Sequence, residues 1–325
     1  MATVLAVLCG QRPPGMQRVE ALAEVRYTEA ADLPAALRGA DVLFVWDFFS
    51  TAVVQAWASA DRLRWIHIAS AGVDRLLFPE LVDSDVVVTN SRGIFDRPIA
   101  EYVLGLVLAV AKDLPATLQL QREMTWRHRE TQRIDTKRAL VVGTGSIGRA
   151  IGRLLRSAGV TVIGVGRTAR TTDADFGVVH AGSDLVKLLP DADYVIVAAP
   201  LTDSTRRMLG ADAFRAMKRS AWLVNVGRGE IVVQDDLVSA LSAGEIGGAA
   251  LDVFCEEPLP AGHPLWTMPN VIVSPHMSGD FVGWLDALVA LFADNVDRWL
   301  AGAQLRNEVN KHAGYVHPSD QGAHP

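Results

Sequence analysis

The feature that most restricts this chain is a glycine pattern, Gly143-Thr-Gly145-Ser-Ile-Gly148, set between two apolar segments. Ala139 to Val142 before it reads as a buried strand. Ile147 to Ser157 after it reads as a helix, with Ile147, Ala150, Ile151, Leu154 and Leu155 on one face. G-x-G-x-x-G alone is a weak signal; strand, tight turn and helix together make it a dinucleotide fingerprint. Gly143 permits the turn, Gly145 lets the backbone approach a pyrophosphate, and Gly148 lets helix and strand pack closely. The amides that open the helix then face the diphosphate. The plainer alternative is a strand-turn-helix that needs its glycines for packing only.

Around the loop the chain repeats one rhythm. Strands are predicted at Val4 to Leu8, Val42 to Trp46, Trp65 to Ala69 and Val86 to Thr89, with a helical stretch at Thr51 to Ala60. A second series follows: Ala139 to Val142, Val160 to Val165, Tyr194 to Ala198, Ala221 to Val226, Ala249 to Val253 and Val271 to Ser274. Helices are predicted between these at Ile147 to Ser157, Ser183 to Leu189, Ala211 to Met217 and Asp235 to Ala243. Strands alternating with helices imply parallel sheets covered on both faces. Pro98 to Gln119 reads as one long helix with Pro115 as a kink or early stop, and a last long helix spans about Trp284 to Ala301. The polar tail Pro318 to Pro325 is expected to be disordered.

Charge excludes some functions. Lys and Arg total 31 and Asp and Glu 37, a net −6, which gives no electrostatic reason to bind nucleic acid or an anionic membrane. Cys9 and Cys255 form neither a metal-ligand spacing nor a disulfide framework, as suits a reducing cytoplasm. The N-terminus lacks a basic region and reads as a first strand rather than a signal peptide. Ile99 to Ala111 is too short to span a bilayer.

Three stretches beyond the loop carry reaction chemistry, each at the carboxyl end of a predicted strand, where open α/β sheets bind ligands. Asn225-Val-Gly-Arg228-Gly-Glu presents an Arg between glycines, a fork suited to a carboxylate. Ala250-Leu-Asp252-Val-Phe-Cys-Glu256-Glu257-Pro runs a strand into an acidic loop, in which Glu256 reads as solvated. Val271-Ile-Val-Ser-Pro275-His276 ends a strand on a histidine. Reduction of a keto acid needs a hydride donor, a carboxylate anchor and an acid for the forming alkoxide. His is that acid near neutral pH, and a neighbouring carboxylate orients it and keeps it protonated.

These motifs, with Ser-Ala-Gly-Val-Asp74, Ile-Ala-Glu101-Tyr and Ala-Pro200-Leu-Thr202, resemble the D-isomer-specific 2-hydroxyacid dehydrogenase family, glyoxylate/hydroxypyruvate reductase-like and of the NADPH type. The resemblance covers nearly the whole chain and is strongest from Gly72 to Gly279. It implies catalytic Arg228, Glu257 and His276. It implies Asp252 at the nicotinamide carboxamide, with Ser146, Ile147, Pro200 and Thr205 also at the cofactor. Amides of Ala71, Gly72 and Val73 are implied at the substrate carboxylate. The implied fold is α/β: two doubly wound parallel-sheet domains, a flavodoxin-like substrate domain (1–97 with 284–325) and a Rossmann nucleotide domain (98–283), with an interdomain cleft. The stretch Asn90-Ser-Arg-Gly departs from the commoner Asn-Thr-Pro-Gly.

The implied activity is reduction of a small 2-keto acid to a D-2-hydroxy acid. A nicotinamide-sensing, corepressor-like binding protein with little turnover is the alternative. A methyltransferase would leave Arg228, Glu257 and His276 without a role. Gly166 stands where NAD-binding domains place an acid, followed by Arg167, Thr168 and Arg170, so NADP is expected over NAD. Phe48 and Phe49 either line the cleft, favouring an apolar substituent, or belong to the core. Apolar residues around most of the helix from Pro98 predict a homodimer.

Overall fold

The computed structural model describes residues 3–316; the tail predicted to be disordered lies outside them. The chain divides into two compact units, the first running to Phe95 and resuming at Phe281, the second spanning Asp96–Asp280. The breaks thus fall two or three residues earlier than the sequence boundaries.

In the first unit β1 (Val4–Leu8), β2 (Glu24–Thr28), β3 (Val42–Val45), β4 (Trp65–Ile68) and β5 (Val87–Thr89) form one parallel sheet in the order β2-β1-β3-β4-β5. That is the flavodoxin-like order. β3 and β4 are buried along their whole length, as strands covered on both faces must be. The helix Trp284–Leu300 returns to this unit and lays Phe292 on Phe44 with ring centroids 3.9 Å apart.

In the second unit eight strands follow: β6 (Arg138–Val142), β7 (Thr161–Gly166), β8 (Arg170–Asp173), β9 (Gly177–Ala181), β10 (Tyr194–Val197), β11 (Trp222–Asn225), β12 (Gly248–Leu251) and β13 (Val271–Val273). Their order is β13-β12-β11-β10-β6-β7-β9-β8, all parallel except β8. Counted from β6 without β8, this is the 3-2-1-4-5-6 dinucleotide order with one further strand. The chain direction across the sheet reverses between β6 and β10, so the loops after these two strands flank the switch point.

The structure departs from the sequence prediction in three places. The edge strand β2 was not predicted. β8 and β9 form an antiparallel hairpin at the sheet edge that periodicity did not reveal. The single long helix is two, Asp96–Ala111 and Leu114–Arg122, bent by 63°. The break is at Asp113, whose φ is +49, and Pro115 sits in the first turn of the second helix, where its missing N–H costs nothing. Arg129 holds the corner with Nε 2.7 Å from Asp113 Oδ2. Among the described residues no single helix is long and apolar enough to cross a membrane.

Candidate active site

The glycine loop joins β6 to the helix Ser146–Ser157. Gly143 has φ +107, and a Cβ there would lie 2.5 Å from the amide nitrogen of Ala199, beside β10. A Cβ on Gly148 would lie 1.8 Å from the carbonyl oxygen of Gly143. Both positions exclude side chains by backbone contact. Gly145 differs: a Cβ there would meet nothing within 4 Å. It is the N-cap, and no side chain hydrogen-bonds to cap the helix. Packing does not need a glycine at 145, whereas a diphosphate lying on the amides does. These residues fit a dinucleotide.

Arg167 and Thr168 follow β7 and are exposed. A Cβ on Gly166 would lie 2.8 Å from Thr144 Oγ1, so the end of β7 packs tightly on the glycine loop. Arg170 spans both: its Nη2 is 3.1 Å from Thr144 Oγ1 and 3.0 Å from Asp173 Oδ2. Asp173 also pairs with Arg149 at 2.8 Å. Burial raises the Asp173 pKa, but the Arg149 hydrogen bond and charge outweigh it and hold the carboxyl well below the usual range. Arg170 is therefore committed to Asp173. After β10, the Thr205 hydroxyl accepts from the Thr202 amide at 2.8 Å and donates to the Pro200 carbonyl at 2.7 Å. Thr205 thus shapes the loop on which Pro200 is exposed.

Arg228, Glu257 and His276 follow the adjacent strands β11, β12 and β13. Asn225 fixes the first loop, accepting from the Gly227 amide and donating to the Arg228 carbonyl, each at 3.0 Å. Gly229 brings this loop onto the next one, since a Cβ there would sit 1.9 Å from the carbonyl carbon of Phe254. Arg228 Nη1 donates to the Gly227 carbonyl at 2.8 Å. His276 Nδ1 is 2.9 Å from Glu257 Oε2, and the other oxygen of Glu257 accepts from the Phe254 amide at 3.0 Å. The carboxylate is fixed at one end and the imidazole at the other. Glu256 is exposed and outside this pair.

Asp252 is fully buried. Its Oδ1 accepts from Ser274 Oγ at 2.6 Å and the Met277 amide at 3.0 Å, and its Oδ2 from the Ser278 amide at 2.8 Å. Its backbone carbonyl accepts from the His276 amide at 2.8 Å. Asp252 therefore wraps the turn on which His276 adopts φ +53. The sequence motif did not reveal this role, nor those of Ser274 and Ser278. Asp280 was also missed; burial and the Asp252 charge push its pKa up, while His276 lowers it.

Ala71, Gly72 and Val73 belong to the first unit, just beyond β4. Among the described residues their amides meet no acceptor. Phe48 packs against the core of this unit, so the core reading suits it. Phe49 is 45% exposed, with the Arg75 guanidinium 5.4 Å from its ring centroid.

The family model described as D-isomer specific 2-hydroxyacid dehydrogenase, NAD binding domain, matches residues 104–278. The chain belongs to the D-isomer specific 2-hydroxyacid dehydrogenase family. A glyoxylate reductase from Thermofilum pendens is 30% identical over 95% of this chain and 94% of its own length. A solved family member from Xanthobacter autotrophicus Py2, in complex with NADPH and MES, is 31% identical with a TM-score of 0.79, covering 97% of this chain and 100% of its own. An NADPH-dependent glyoxylate/hydroxypyruvate reductase from Sinorhizobium meliloti, in complex with NADP and sulfate, is 26% identical with a TM-score of 0.79, covering 96% of this chain and 100% of its own. The reaction class of the family is NAD(P)H-dependent reduction of a 2-keto acid to a 2-hydroxy acid.

Proposed function

We propose that this family member reduces small 2-keto acids to D-2-hydroxy acids, with NADPH preferred to NADH. The observation that carries the reading is the His276–Glu257 pair at 2.9 Å, one strand away from the Arg228 loop. Bound NAD(P)H supplies the hydride. Glu257 takes Nδ1 of His276, which leaves Nε2 to hold the proton for the forming alkoxide. Arg228 offers its fork to the keto acid. In the first unit the amides of Ala71, Gly72 and Val73 take the carboxylate, as a nest of backbone N–H groups does.

The cofactor preference rests on the end of β7. Position 166 has no carboxylate to repel a 2′-phosphate, and Arg167 and Thr168 stand exposed beside it. Arg170, engaged by Asp173, stiffens the turn rather than offering its charge to the cofactor. The relatives solved with NADPH or NADP support this choice.

We also propose a homodimer. Leu108, Leu114 and Leu118 are 37%, 46% and 53% exposed, and Met124 and Trp126 are almost wholly so. An apolar surface of this kind is a partner-binding surface more often than a wetted one. The free thiols, Cys9 buried and Cys255 exposed, suit the cytoplasm.

The deciding measurement is kcat/KM with NADPH and NADH, using glyoxylate, hydroxypyruvate, 2-ketobutyrate, phenylpyruvate and oxaloacetate, for wild type and Arg167→Ala. Turnover with an NADPH preference that Arg167→Ala abolishes is expected. An NADH preference in the wild type would reject the cofactor assignment. Tight cofactor binding without oxidation by any keto acid would reject the enzyme reading.

A further inference from the structure

The amides of Ala71, Gly72 and Val73 point away from the protein's own acceptors because every carbonyl of their loop is held from behind. The Ser70 carbonyl accepts from the Ser91 amide at 2.9 Å. The Ala71 carbonyl accepts from Asn90 Nδ2 at 2.6 Å. The Gly72 carbonyl accepts from Ser70 Oγ at 2.6 Å. The Val73 carbonyl accepts from the amides of Leu76 and Leu77, each at 3.0 Å. A trans peptide group holds its N–H on the side opposite its carbonyl, so fixing the carbonyls of Ser70, Ala71 and Gly72 aims the amides of Ala71, Gly72 and Val73.

Of these ties, one comes from a buried side chain on a different strand end. Asn90 follows β5, the neighbour of β4, and is 2% exposed. Its amide orientation is set by the network: Oδ1 accepts from the Arg92 amide at 3.2 Å, which leaves Nδ2 for the Ala71 carbonyl. Proline at 92, the commoner residue in the resembling pattern, has no N–H to make that contact. The backbone at Asn90 is clamped in turn by Asn307, with its carbonyl accepting from Asn307 Nδ2 and its amide donating to the Asn307 carbonyl, each at 3.2 Å.

A one-way chain of hydrogen bonds anchors the next residue. Ser91 Oγ donates to the Ile68 carbonyl at 3.1 Å, so toward His67 Nε2, 3.4 Å away, it must accept. His67 therefore carries its proton on Nε2 and accepts at Nδ1 from Thr89 Oγ1 at 2.7 Å, while Thr89 Oγ1 accepts from Trp65 Nε1 at 2.8 Å. His67, Thr89 and Ser91 are all fully buried. The end of β5 is thus a rigid post rather than a mobile loop.

We infer that Asn90 is a positioning residue: through the Ala71 carbonyl it fixes the peptide plane that aims the Gly72 amide, the middle one of the three that receive the substrate carboxylate. The inference rests on the proposed keto acid reduction. Because the amides hold the carboxylate in ground and transition states alike, loss of the aim raises KM and leaves kcat little changed.

The test compares Asn90→Ala and Asn90→Asp with wild type and with Lys311→Ala. The last removes a tie in the same unit, from Lys311 Nζ to the Leu81 carbonyl at 2.9 Å, and so reports general destabilisation. Measured are KM and kcat with glyoxylate, the NADPH dissociation constant, and Tm. Expected is a rise in KM of about tenfold for both Asn90 variants, matching the loss of one hydrogen-bond anchor. Cofactor affinity and kcat stay within about threefold, and Lys311→Ala lowers Tm at unchanged KM. An unchanged KM in soluble Asn90 variants that turn over would overturn the inference. So would a KM rise shared by Lys311→Ala, which would make the effect structural. A wild type that reduces no keto acid at all would overturn the functional reading together with it.

Discussion

Nδ1 of His276 and Oε2 of Glu257 lie 2.9 Å apart although they leave different strands, and each is pinned independently of the other. Glu257 is held through its second oxygen by the Phe254 amide, and His276 by the turn around Asp252. The side chains are 16% and 30% exposed, so the pair is half withdrawn from water while the imidazole edge stays reachable. Replacing His276 with Ala is expected to cut reduction by about 10², the size of a lost general acid, with cofactor binding intact. Glu257→Gln keeps the shape, removes the carboxylate that holds Nδ1 and is expected to lower kcat at least tenfold with cofactor affinity unchanged. A kcat equal to wild type would dissolve the pairing.

Asp252 should matter to His276 through the backbone. Asp252→Asn turns at least one acceptor into a donor facing the amides of Met277 or Ser278, leaving a buried N–H unpaired at a cost of about 1–3 kcal/mol. A lower Tm and a kcat reduced at least tenfold are expected, with Ser274→Ala milder because the amides of Met277 and Ser278 keep the carboxylate they donate to. Circular dichroism melts and steady-state rates on the two variants check this. Equal effects from both would mean that the carboxylate does not hold the turn.

Two glycines offer a contrast between folding and binding. Gly229→Ala drives a methyl group into the Phe254 backbone and should cost at least ~4 kcal/mol, enough to spoil expression. Gly145→Ala meets nothing within 4 Å and its φ of −76 suits alanine, so Tm should hold. Its methyl group enters the space assigned to the diphosphate, and the dissociation constants of both nicotinamide cofactors should rise by at least about tenfold. Fluorescence titration beside a thermal melt separates the two; a Gly145→Ala protein that binds normally would move the diphosphate elsewhere.

His67 gives the first unit an acid sensitivity. Burial pushes its pKa down to about 3, against 6.5 when unfolded. The neutral ring's contribution is complete above pH 6.5. Below it the unfolded chain binds a proton that the folded chain refuses, so stability falls as pH drops toward 3, by roughly 1.4 kcal/mol per pH unit from this group. Urea unfolding at intervals from pH 7 to 4, on wild type and His67→Asn, is expected to show a shallower acid loss in the variant. Parallel curves would place the titrating group elsewhere.

Much of this was legible beforehand because the reporting residues act locally. A run such as Leu43-Phe-Val announces a strand buried on both sides, and the glycine loop announces its own turn. Other elements were silent because tertiary contacts create them. β8, Arg170-Thr-Thr-Asp173, has no apolar periodicity; it exists because β9 pairs with it and Arg149 binds Asp173 and Asp175. β2 is Glu-Val-Arg-Tyr-Thr, an edge strand whose polar residues hid it. The turn at Asp113 depends on Arg129, sixteen residues on.

The two α/β series, the nucleotide loop and the residue types of the reaction could be read from the chain alone, since each is written in contiguous residues whose spacing matches a strand, a turn or a helix. What the buried polar groups do depends on how the folded chain packs. Asp252 closes on the turn bearing His276, and Asn90 reaches from β5 to the loop beyond β4. Both bonds join residues about twenty or more positions apart, and a buried donor or acceptor must find its partner wherever the packed sheet brings one within 3 Å.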